Sequence, residues 1–251
     1  RFSVSGTGDV NGDGIDDLII GASYTPRPYD GPDISTGASY VVFGRNNDFN
    51  SSIRLSELNG KNGFKINGME PGGRFGFSVS GAGDINGDGI DDLIIGAPFA
   101  NRWRGLSYVV FGRDSGFSSS VDLSELNGKN GFKINGMEPQ GRFGFSVSSA
   151  GDINGDGIDD LIIGAPRSLY FNAGTSYVIF GNGSHFDGDI SLSELNGANG
   201  FKINGAERDD LFGYSVNSAG DVNGDGIDDI IIGAPWADPL GASSAGVSMS
   251  S

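Results

Sequence analysis

The chain has 251 residues, and its 32 acidic side chains outnumber its 16 basic ones, so that the formal net charge is −16. This surplus disfavours nucleic acid and anionic membrane surfaces as partners, because phosphate groups are held by clusters of Lys and Arg. No apolar run approaches the ~18 residues of a membrane-spanning helix, and the absence of cysteine excludes disulfides and thiolate metal sites.

An internal repeat organises the whole chain. One segment, AGDINGDGIDDLIIGAP, occurs identically at 82–98 and at 150–166. A second segment, LSELNGKNGFKINGMEP, is identical at 55–71 and at 123–139. Near copies of both segments extend the pattern along the rest of the chain. The predicted repeats are 1–70, 71–138, 139–207 and 208–251, of which the last is incomplete.

Each complete repeat predicts four short strands. In the second repeat the first strand alternates apolar with small polar residues, the second is a continuous apolar run expected to be buried on both faces, and the third is β-branched and aromatic. The fourth alternates Phe132 and Ile134 with Lys133 and Asn135, as expected for an outer strand with one wet face. The intervening LSELNG predicts one helical turn. The strands of this repeat are predicted at 76–84, 91–98, 106–112 and 131–136.

A four-stranded unit repeated in tandem predicts an all-β fold of β-propeller blades, each a four-stranded antiparallel meander. The small residues of the first strand suit the crowded axis of a propeller, and the bulky second and third strands would fill the core between blades. A solenoid would need shorter coils than this repeat provides. The fourth repeat lacks the SYVVFG and GFKING motifs, so about three and a half blades are predicted.

The motif D-x-N-x-D-G-x-x-D occurs once in each repeat. Calcium takes six to eight oxygen ligands, which positions 1, 3, 5 and 9 and the carbonyl of position 7 would supply. Gly12 and Gly14 permit the tight curl, including positive φ, whereas Asp16 at position 8 is expected to point elsewhere and to cap or solvate the loop. We therefore expect about four Ca²⁺ per chain. The predicted ligands are Asp9, Asn11, Asp13, Ile15 and Asp17; Asp84, Asn86, Asp88, Ile90 and Asp92; Asp152, Asn154, Asp156, Ile158 and Asp160; and Asp221, Asn223, Asp225, Ile227 and Asp229.

Three other interpretations of these loops are disfavoured. An EF-hand or a dockerin-like loop would need Glu at position 12, where every copy has Ile. Magnesium is disfavoured because it demands a stricter octahedral geometry. The simplest alternative is a turn rich in Asp, Asn and Gly, since these residues favour turns without any metal. Four copies with identical internal spacing favour a metal site over such a turn.

The motifs resemble the FG-GAP repeats of integrin α-subunit propellers and of their bacterial relatives, and the near-identical copies are more similar to the bacterial members. The FG pairs are Phe75-Gly76, Phe143-Gly144 and Phe212-Gly213, and the GAP motifs are Gly96-Ala97-Pro98, Gly164-Ala165-Pro166 and Gly233-Ala234-Pro235. The first repeat departs from the pattern, because it begins with RF and has Ser23 in place of the GAP proline.

The resemblance implies that each calcium loop joins the first and second strands of a blade. It also implies an extracellular or cell-surface setting and a role in adhesion or ligand binding. Propellers of this family usually have seven blades, so the resemblance implies a fragment of a larger propeller that further repeats or another chain complete. A closed four-bladed ring is disfavoured.

Catalysis is not expected. The single histidine, His185, lies in a turn outside the repeated motifs, and a Cys-His pair is excluded by the lack of cysteine. The aspartates that could serve a hydrolase are already explained by calcium. The sequence therefore predicts a non-catalytic calcium-binding module for adhesion or ligand binding. The alternative is a scaffold segment of a larger secreted enzyme or toxin-like protein.

The loops after the GAP motifs differ between repeats, although the scaffold around them is nearly invariant. They concentrate aromatic and Arg residues, which are enriched at interface hot spots. All four follow the same strand, so we expect them on one face, opposite the calcium loops, in contact with a protein or glycan ligand. The alternative is that these loops vary for lack of constraint and that their aromatics pack locally. The predicted partner-binding residues are Tyr29, Phe99, Trp103, Tyr170 and Trp236.

Overall fold

The structure is a computed structural model that describes residues 2–24, 35–46, 51–167, 172–183, 185–238 and 247–250. The described residues form four β-sheets joined by turns and loops, and each LSELNG segment begins with one 3-10 turn. The strands are β1 Phe2–Gly8, β2 Asp17–Ala22, β3 Ala38–Val42, β4 Gly63–Asn67, β5 Ser78–Gly83, β6 Asp92–Ala97, β7 Leu106–Val110, β8 Ser120–Val121, β9 Gly131–Asn135, β10 Ser146–Gly151, β11 Asp160–Ala165, β12 Thr175–Ile179, β13 Asp189–Ser191, β14 Gly200–Asn204, β15 Ser215–Gly220, β16 Asp229–Ala234 and β17 Val247–Ser250. The helical turns are Leu55–Glu57, Ala100–Trp103, Leu123–Glu125 and Leu192–Glu194.

The sheets are built as the repeat predicts. In the first three, the four principal strands of one repeat pair antiparallel in chain order, as in β5-β6-β7-β9. The predicted all-β fold of four-stranded propeller blades is thereby confirmed. The fourth sheet contains β15, β16 and β17.

The strand β17 corrects the prediction that the last repeat lacks its third strand. It pairs antiparallel with β16, and Ala234 lies opposite Val247 in the same register in which Ala165 lies opposite Thr175 in the third sheet. The segment VSMS has only one β-branched residue and no aromatic residue, so it carries little strand propensity of its own. Pairing with a strongly β-forming neighbour decides its conformation.

Two sheets also contain a fifth strand that was not predicted. The short strand β8 belongs to the second repeat but pairs parallel with β4 of the first sheet. In the same way β13, from the third repeat, pairs parallel with β9 of the second sheet. The expectation that the GFKIN strand forms the outer edge is therefore wrong for these two sheets. Strands of two or three residues are too short to show a period, and only the tertiary arrangement reveals them.

The core lies between neighbouring sheets. Strands β6 and β11 are buried along their whole length, which confirms the prediction of burial on both faces. Strands β2 and β16 are buried only in part, because each belongs to a sheet that has one neighbouring sheet in the described part of the chain. The second strand therefore packs against two neighbouring sheets in the second and third sheets, and against one in the first and fourth.

This topology separates two kinds of loop. The D-x-N-x-D-G-x-x-D loops join the first strand of each sheet to the second. The GAP loops lie at the opposite end of that second strand, beside the connections that lead into the FG pairs, as shown by hydrogen bonds from Phe99 N to Gly73 O at 3.3 Å and from Arg167 N to Gly141 O at 3.3 Å. The described parts of the variable loops thus share an end of the sheets, as predicted.

Candidate metal centre

The first D-x-N-x-D-G-x-x-D loop curls around the carboxylate of Asp9. This carboxylate accepts hydrogen bonds from the backbone amides of Asp13 at 3.0 Å and of Gly14 at 2.6 Å. Gly12 and Gly14 have φ values of 72° and 83°, a region that residues with a Cβ rarely adopt, so the predicted positive φ is confirmed. Asp13 in turn accepts from the amide of Ile15 at 3.0 Å. The loop is therefore held by Asp side chains that bind the backbone two to five residues further on.

Position 9 ties each of the first three loops to the body of its sheet. In the second loop Asp92 is fully buried, and its carboxylate accepts from the amides of Ile85 at 3.2 Å and of Gly112 at 2.8 Å. Asp160 makes the equivalent bonds to Ile153 and Gly181 in the third loop. Gly112 and Gly181 follow the third strand, so this aspartate links the start of the loop to the end of a strand that is distant in sequence.

Burial and neighbouring carboxylates both disfavour the ionised form of three position-9 aspartates, Asp17, Asp92 and Asp160. Burial, together with the smaller effect of the carboxylates of Asp88 and Asp84 in the same loop, raises the pKa of Asp92 to about 8, against the opposing effect of the backbone hydrogen bonds. Burial likewise raises the pKa of Asp17 and of Asp160 to about 6. Three negative groups thus interact within each of these loops, and a bound cation would stabilise their ionised forms.

The donor set suits a hard cation such as calcium. Each loop offers three carboxylates, one amide oxygen and one backbone carbonyl, and oxygen ligands are those that Ca²⁺ prefers. In the described residues, no group of three acidic or histidine side chains converges closely enough, as the side chains stand, to hold a metal ion. The carboxylates are directed at backbone amides instead. The ligand types and the curled backbone fit calcium, and binding itself remains a prediction.

The aspartate at position 8 has a role that the sequence did not predict. Asp91 accepts a hydrogen bond from the backbone amide of Asp9, in the preceding repeat, at 2.8 Å. Asp159 bonds Asp84 in the same way at 2.9 Å, and Asp228 bonds Asp152 at 3.1 Å. The side chain at position 8 points away from its own loop, as expected, but it caps the loop of the neighbouring blade. The sequence does contain a signal for this role: in all four repeats a second Asp, at position 8, stands beside the ligand at position 9.

The opposite face carries three of the predicted partner-binding residues, Phe99, Trp103 and Trp236. Trp103 and Trp236 expose 50% and 57% of their surface, as a contact residue requires. Phe99 is half-buried and packs against Phe77, with ring centres 5.6 Å apart, so local packing accounts for it. Tyr29 and Tyr170 lie outside the described residues.

The turn that carries Trp103 has an unusual backbone. Asn101, Arg102 and Trp103 have φ values of 49°, 55° and 68°, so three consecutive residues with a Cβ occupy the left-handed region. Each such residue costs roughly 1–2 kcal/mol. Contacts that compensate include a hydrogen bond of 2.7 Å from the amide of Asn101 to the carboxylate of Glu70. Strain held in this way is frequent at ligand-binding sites.

Comparison with known proteins identifies the repeat. The model of the FG-GAP repeat matches residues 2–48, 75–110, 143–179 and 212–248, more than half of the chain. The chain belongs to the FG-GAP repeat family. Each matched segment begins at or next to the inner strand of a sheet and includes its D-x-N-x-D-G-x-x-D loop. The resemblance inferred from the motifs is confirmed.

The relatives of this FG-GAP chain include integrin alpha subunits. It is 35% identical to integrin alpha-5 of Xenopus laevis over 165 residues, which cover 65% of this chain and 14% of that protein. It is 32% identical to integrin alpha pat-2 of Caenorhabditis elegans over 242 residues, which cover 91% and 17%. A third relative is the phosphatidylinositol-glycan-specific phospholipase D of Bos taurus, 33% identical over 182 residues that cover 69% and 20%. The chain thus spans a fifth or less of the length of these relatives.

The described residues contain no helix that is both long enough and apolar enough to span a bilayer.

Proposed function

We propose that this chain is a non-catalytic, ligand-binding propeller module that acts outside the cell or at its surface and that binds calcium in the four D-x-N-x-D-G-x-x-D loops. The observation that carries the proposal is the fourfold recurrence of an all-oxygen ligand set on the same loop of each sheet. The integrin alpha subunits among the relatives support a role in adhesion or ligand binding.

Calcium would act here as a structural ion. Bound calcium supplies positive charge that neutralises the loop carboxylates, and four ions would halve the net charge of −16. The groups that would hold it in the second loop are the side chains of Asp84, Asn86, Asp88 and Asp92 and the carbonyl of Ile90. Because Asp92 also binds the amide of Gly112, an ordered loop would keep the first and third strands of the sheet in place.

Calcium uptake by the folded chain tests this part of the proposal. Equilibrium dialysis should give about four ions per chain. At a calcium concentration 100-fold above the dissociation constant, each site adds about 2.7 kcal/mol to the free energy of unfolding. EDTA should therefore lower the melting temperature clearly. Absence of uptake, or an identical melting curve in EDTA, would contradict calcium binding and leave the loops as Asp- and Gly-rich turns.

Two neighbouring aspartates provide a matched control. Asp88→Ala removes an exposed ligand at position 5 and should reduce the stoichiometry by one. Asp91→Ala removes the acceptor of the hydrogen bond from the preceding loop and should lower the stability in EDTA while the number of bound ions stays the same. If the two variants behave alike, then it is wrong to assign metal binding to Asp88 and the inter-blade hydrogen bond to Asp91.

The ligand-binding part rests on the face that carries the GAP loops. We infer that Trp103 and Trp236, which are exposed, contact a protein or glycan ligand, whereas the half-buried Phe99 supports them. A panel of immobilised extracellular proteins and glycans, probed with the wild-type chain, would identify the ligand. Trp103→Ala should then weaken binding by more than ~1 kcal/mol without altering the melting temperature. Phe99→Ala should lower the melting temperature, and normal binding by both variants would contradict the assignment.

A second candidate function is suggested by the similarity to the phospholipase D of Bos taurus. The chain would then serve as a scaffold segment of a larger secreted enzyme. In both cases the chain itself performs no catalysis, because its one histidine, His185, is an exposed loop residue. Hydrolysis of phosphodiester or glycoside substrates by the isolated chain would contradict this. Failure of the face to bind any member of the panel would favour the scaffold.

A further inference from the structure

Three arginines gather on the face that carries the GAP loops. Arg74 and Arg142 occupy the same place in successive repeats, directly before the FG pair, and Arg167 follows the GAP motif of the third sheet. The guanidinium carbons of Arg74 and Arg142 lie 4.6 Å and 5.0 Å from the ring centre of Phe99, and that of Arg142 lies 5.6 Å from the ring of Trp103. Positive charge and aromatic surface are therefore adjacent.

Arg142 lacks the hydrogen bonding that a guanidinium of this burial normally has. Its Nε is buried and has no hydrogen-bond partner, and within the described ranges neither Arg142 nor Arg167 forms an ion pair. Burial, followed by the charges of Arg167 and Arg74, lowers the pKa of Arg142, yet a guanidinium stays charged at neutral pH. By contrast, Lys133 pairs with Asp189 at 3.0 Å.

The missing partner is conspicuous in this chain. The chain has twice as many acidic as basic side chains, so a counter-charge for Arg142 could easily have been supplied from within it. A charged group withdrawn from water without a counter-charge costs free energy, which a carboxylate accepting two parallel N–H bonds would recover. Trp103 exposes half of its surface next to this guanidinium and offers a flat apolar contact beside the charge.

We propose that Arg142, with Arg74 and Arg167, forms a subsite for a carboxylate side chain of a protein ligand. The proposal rests on the proposed function, since it specifies what the face of the GAP loops recognises. A polyanionic glycan fits less well, because a chain of net charge −16 repels an extended anion everywhere outside this cluster. A single carboxylate flanked by apolar side chains matches both the arginines and the rings.

The fourth repeat provides a natural control. At the place of Arg142 it has Leu211, with φ of 56° against 57°, so the backbone accepts leucine in the same conformation. Arg142→Leu therefore removes the charge while keeping a residue that the repeat already uses there. A second control is Arg208, whose guanidinium Nε pairs with Asp209 at 3.3 Å and which precedes Leu211 by three residues.

The experiment uses two peptides that differ in one group, acetyl-Gly-Phe-Asp-Phe-Gly-amide and its Asn counterpart. Calorimetry with the calcium-loaded chain should show the Asp peptide binding about 10-fold more tightly or better, in line with a charge-assisted bidentate pair. Arg142→Leu should abolish this preference, and Arg208→Gln should leave it intact. Arg167→Gln should reduce it, and provides a second test if Arg142→Leu alters the circular dichroism spectrum.

Other outcomes overturn the subsite. Equal affinity for the two peptides, or no binding of either, would show that Arg142 serves only to pack against Phe99 and Trp103. Tighter binding of an oligogalacturonate than of the Asp peptide would replace the protein ligand by a glycan. These results are distinct from failure of the proposed function, because calcium uptake and the effect of Trp103→Ala on the ligand panel do not depend on Arg142.

Discussion

The strands β2 and β6 have the same sequence, DLIIGA, but different surroundings. Leu18 of β2 exposes 49% of its surface, whereas Leu93 of β6 exposes 1%. The second sheet lies between two others, while the first has one neighbour in the described part of the chain. Burial in a tandem fold is therefore a property of the junction between repeats, and one apolar pattern serves both environments.

The outer strands show the same dependence of burial on the neighbouring repeat. GFKIN recurs in β4, β9 and β14, yet Phe132 is fully buried in β9 whereas Phe201 is only half-buried in β14. Phe186, just before β13, stacks on Phe132 with ring centres 4.5 Å apart. In the ranges described here, no following strand covers β14. The next repeat thus completes the outer edge of the one before it.

The largest difference is expected between Phe132→Ala and Phe201→Ala. Removing the ring of a fully buried phenylalanine costs about 3–5 kcal/mol of unfolding free energy. Phe201 is only half-buried, so its replacement should cost less. Urea unfolding of the two variants measures this difference. Equal losses would mean that the added strand β13 contributes little to the burial of Phe132.

The paired strands β6 and β2 provide the next comparison. Leu93→Ala should lower the free energy of unfolding by about 2–5 kcal/mol, because it leaves a cavity between two sheets. Leu18→Ala removes the same atoms from a half-exposed site and should cost less than about 1 kcal/mol. A large loss at Leu18 would show that another surface covers β2 in solution.

Two glycines test the inter-blade bond of position 8. Gly83 and Gly220 both have φ of 66°, so alanine costs each of them the same backbone strain. A Cβ on Gly83 would lie 2.2 Å from the carboxylate oxygen of Asp159, whereas a Cβ on Gly220 meets nothing within 4 Å. Gly83→Ala should therefore be more destabilising, by about 1–3 kcal/mol. Equal melting temperatures would indicate that Asp159 moves aside without loss.

The last comparison concerns pH, in protein freed of calcium by EDTA. The folded-state pKa of Asp92 is about 8 and that of Asp17 about 6, both above the ordinary value of 3.8. The folded state thus retains a proton that the unfolded state releases, so the contribution of each carboxyl group to stability is greatest below about pH 4 and is lost as the pH rises through its folded-state pKa. Asp92→Asn should remove the part of this fall between pH 6 and 8, and Asp17→Asn should not. Identical profiles from denaturant unfolding would contradict the difference in burial.

The strands, the turns and the loops could be read from residue patterns alone. DLIIGAP predicted a buried strand because its apolar run is continuous, and Gly12 and Gly14 predicted positive φ because glycine lacks a Cβ. Most such features depend on contacts within about ten residues, where the pattern of side chains dictates the local geometry. The repeat then extended each prediction to four sites.

The sequence by itself therefore determined the blade, the repeat length and the ligand types of the candidate metal loops. Only the tertiary structure decided that Asp91 caps the loop of the preceding repeat, that β8 and β13 complete their neighbours' sheets, and that the buried Nε of Arg142 has no hydrogen-bond partner among the described residues. Each of these features joins residues that meet only when sheets stack. Identical segments cannot specify their own neighbours, because burial and pairing depend on which surface lies across the junction.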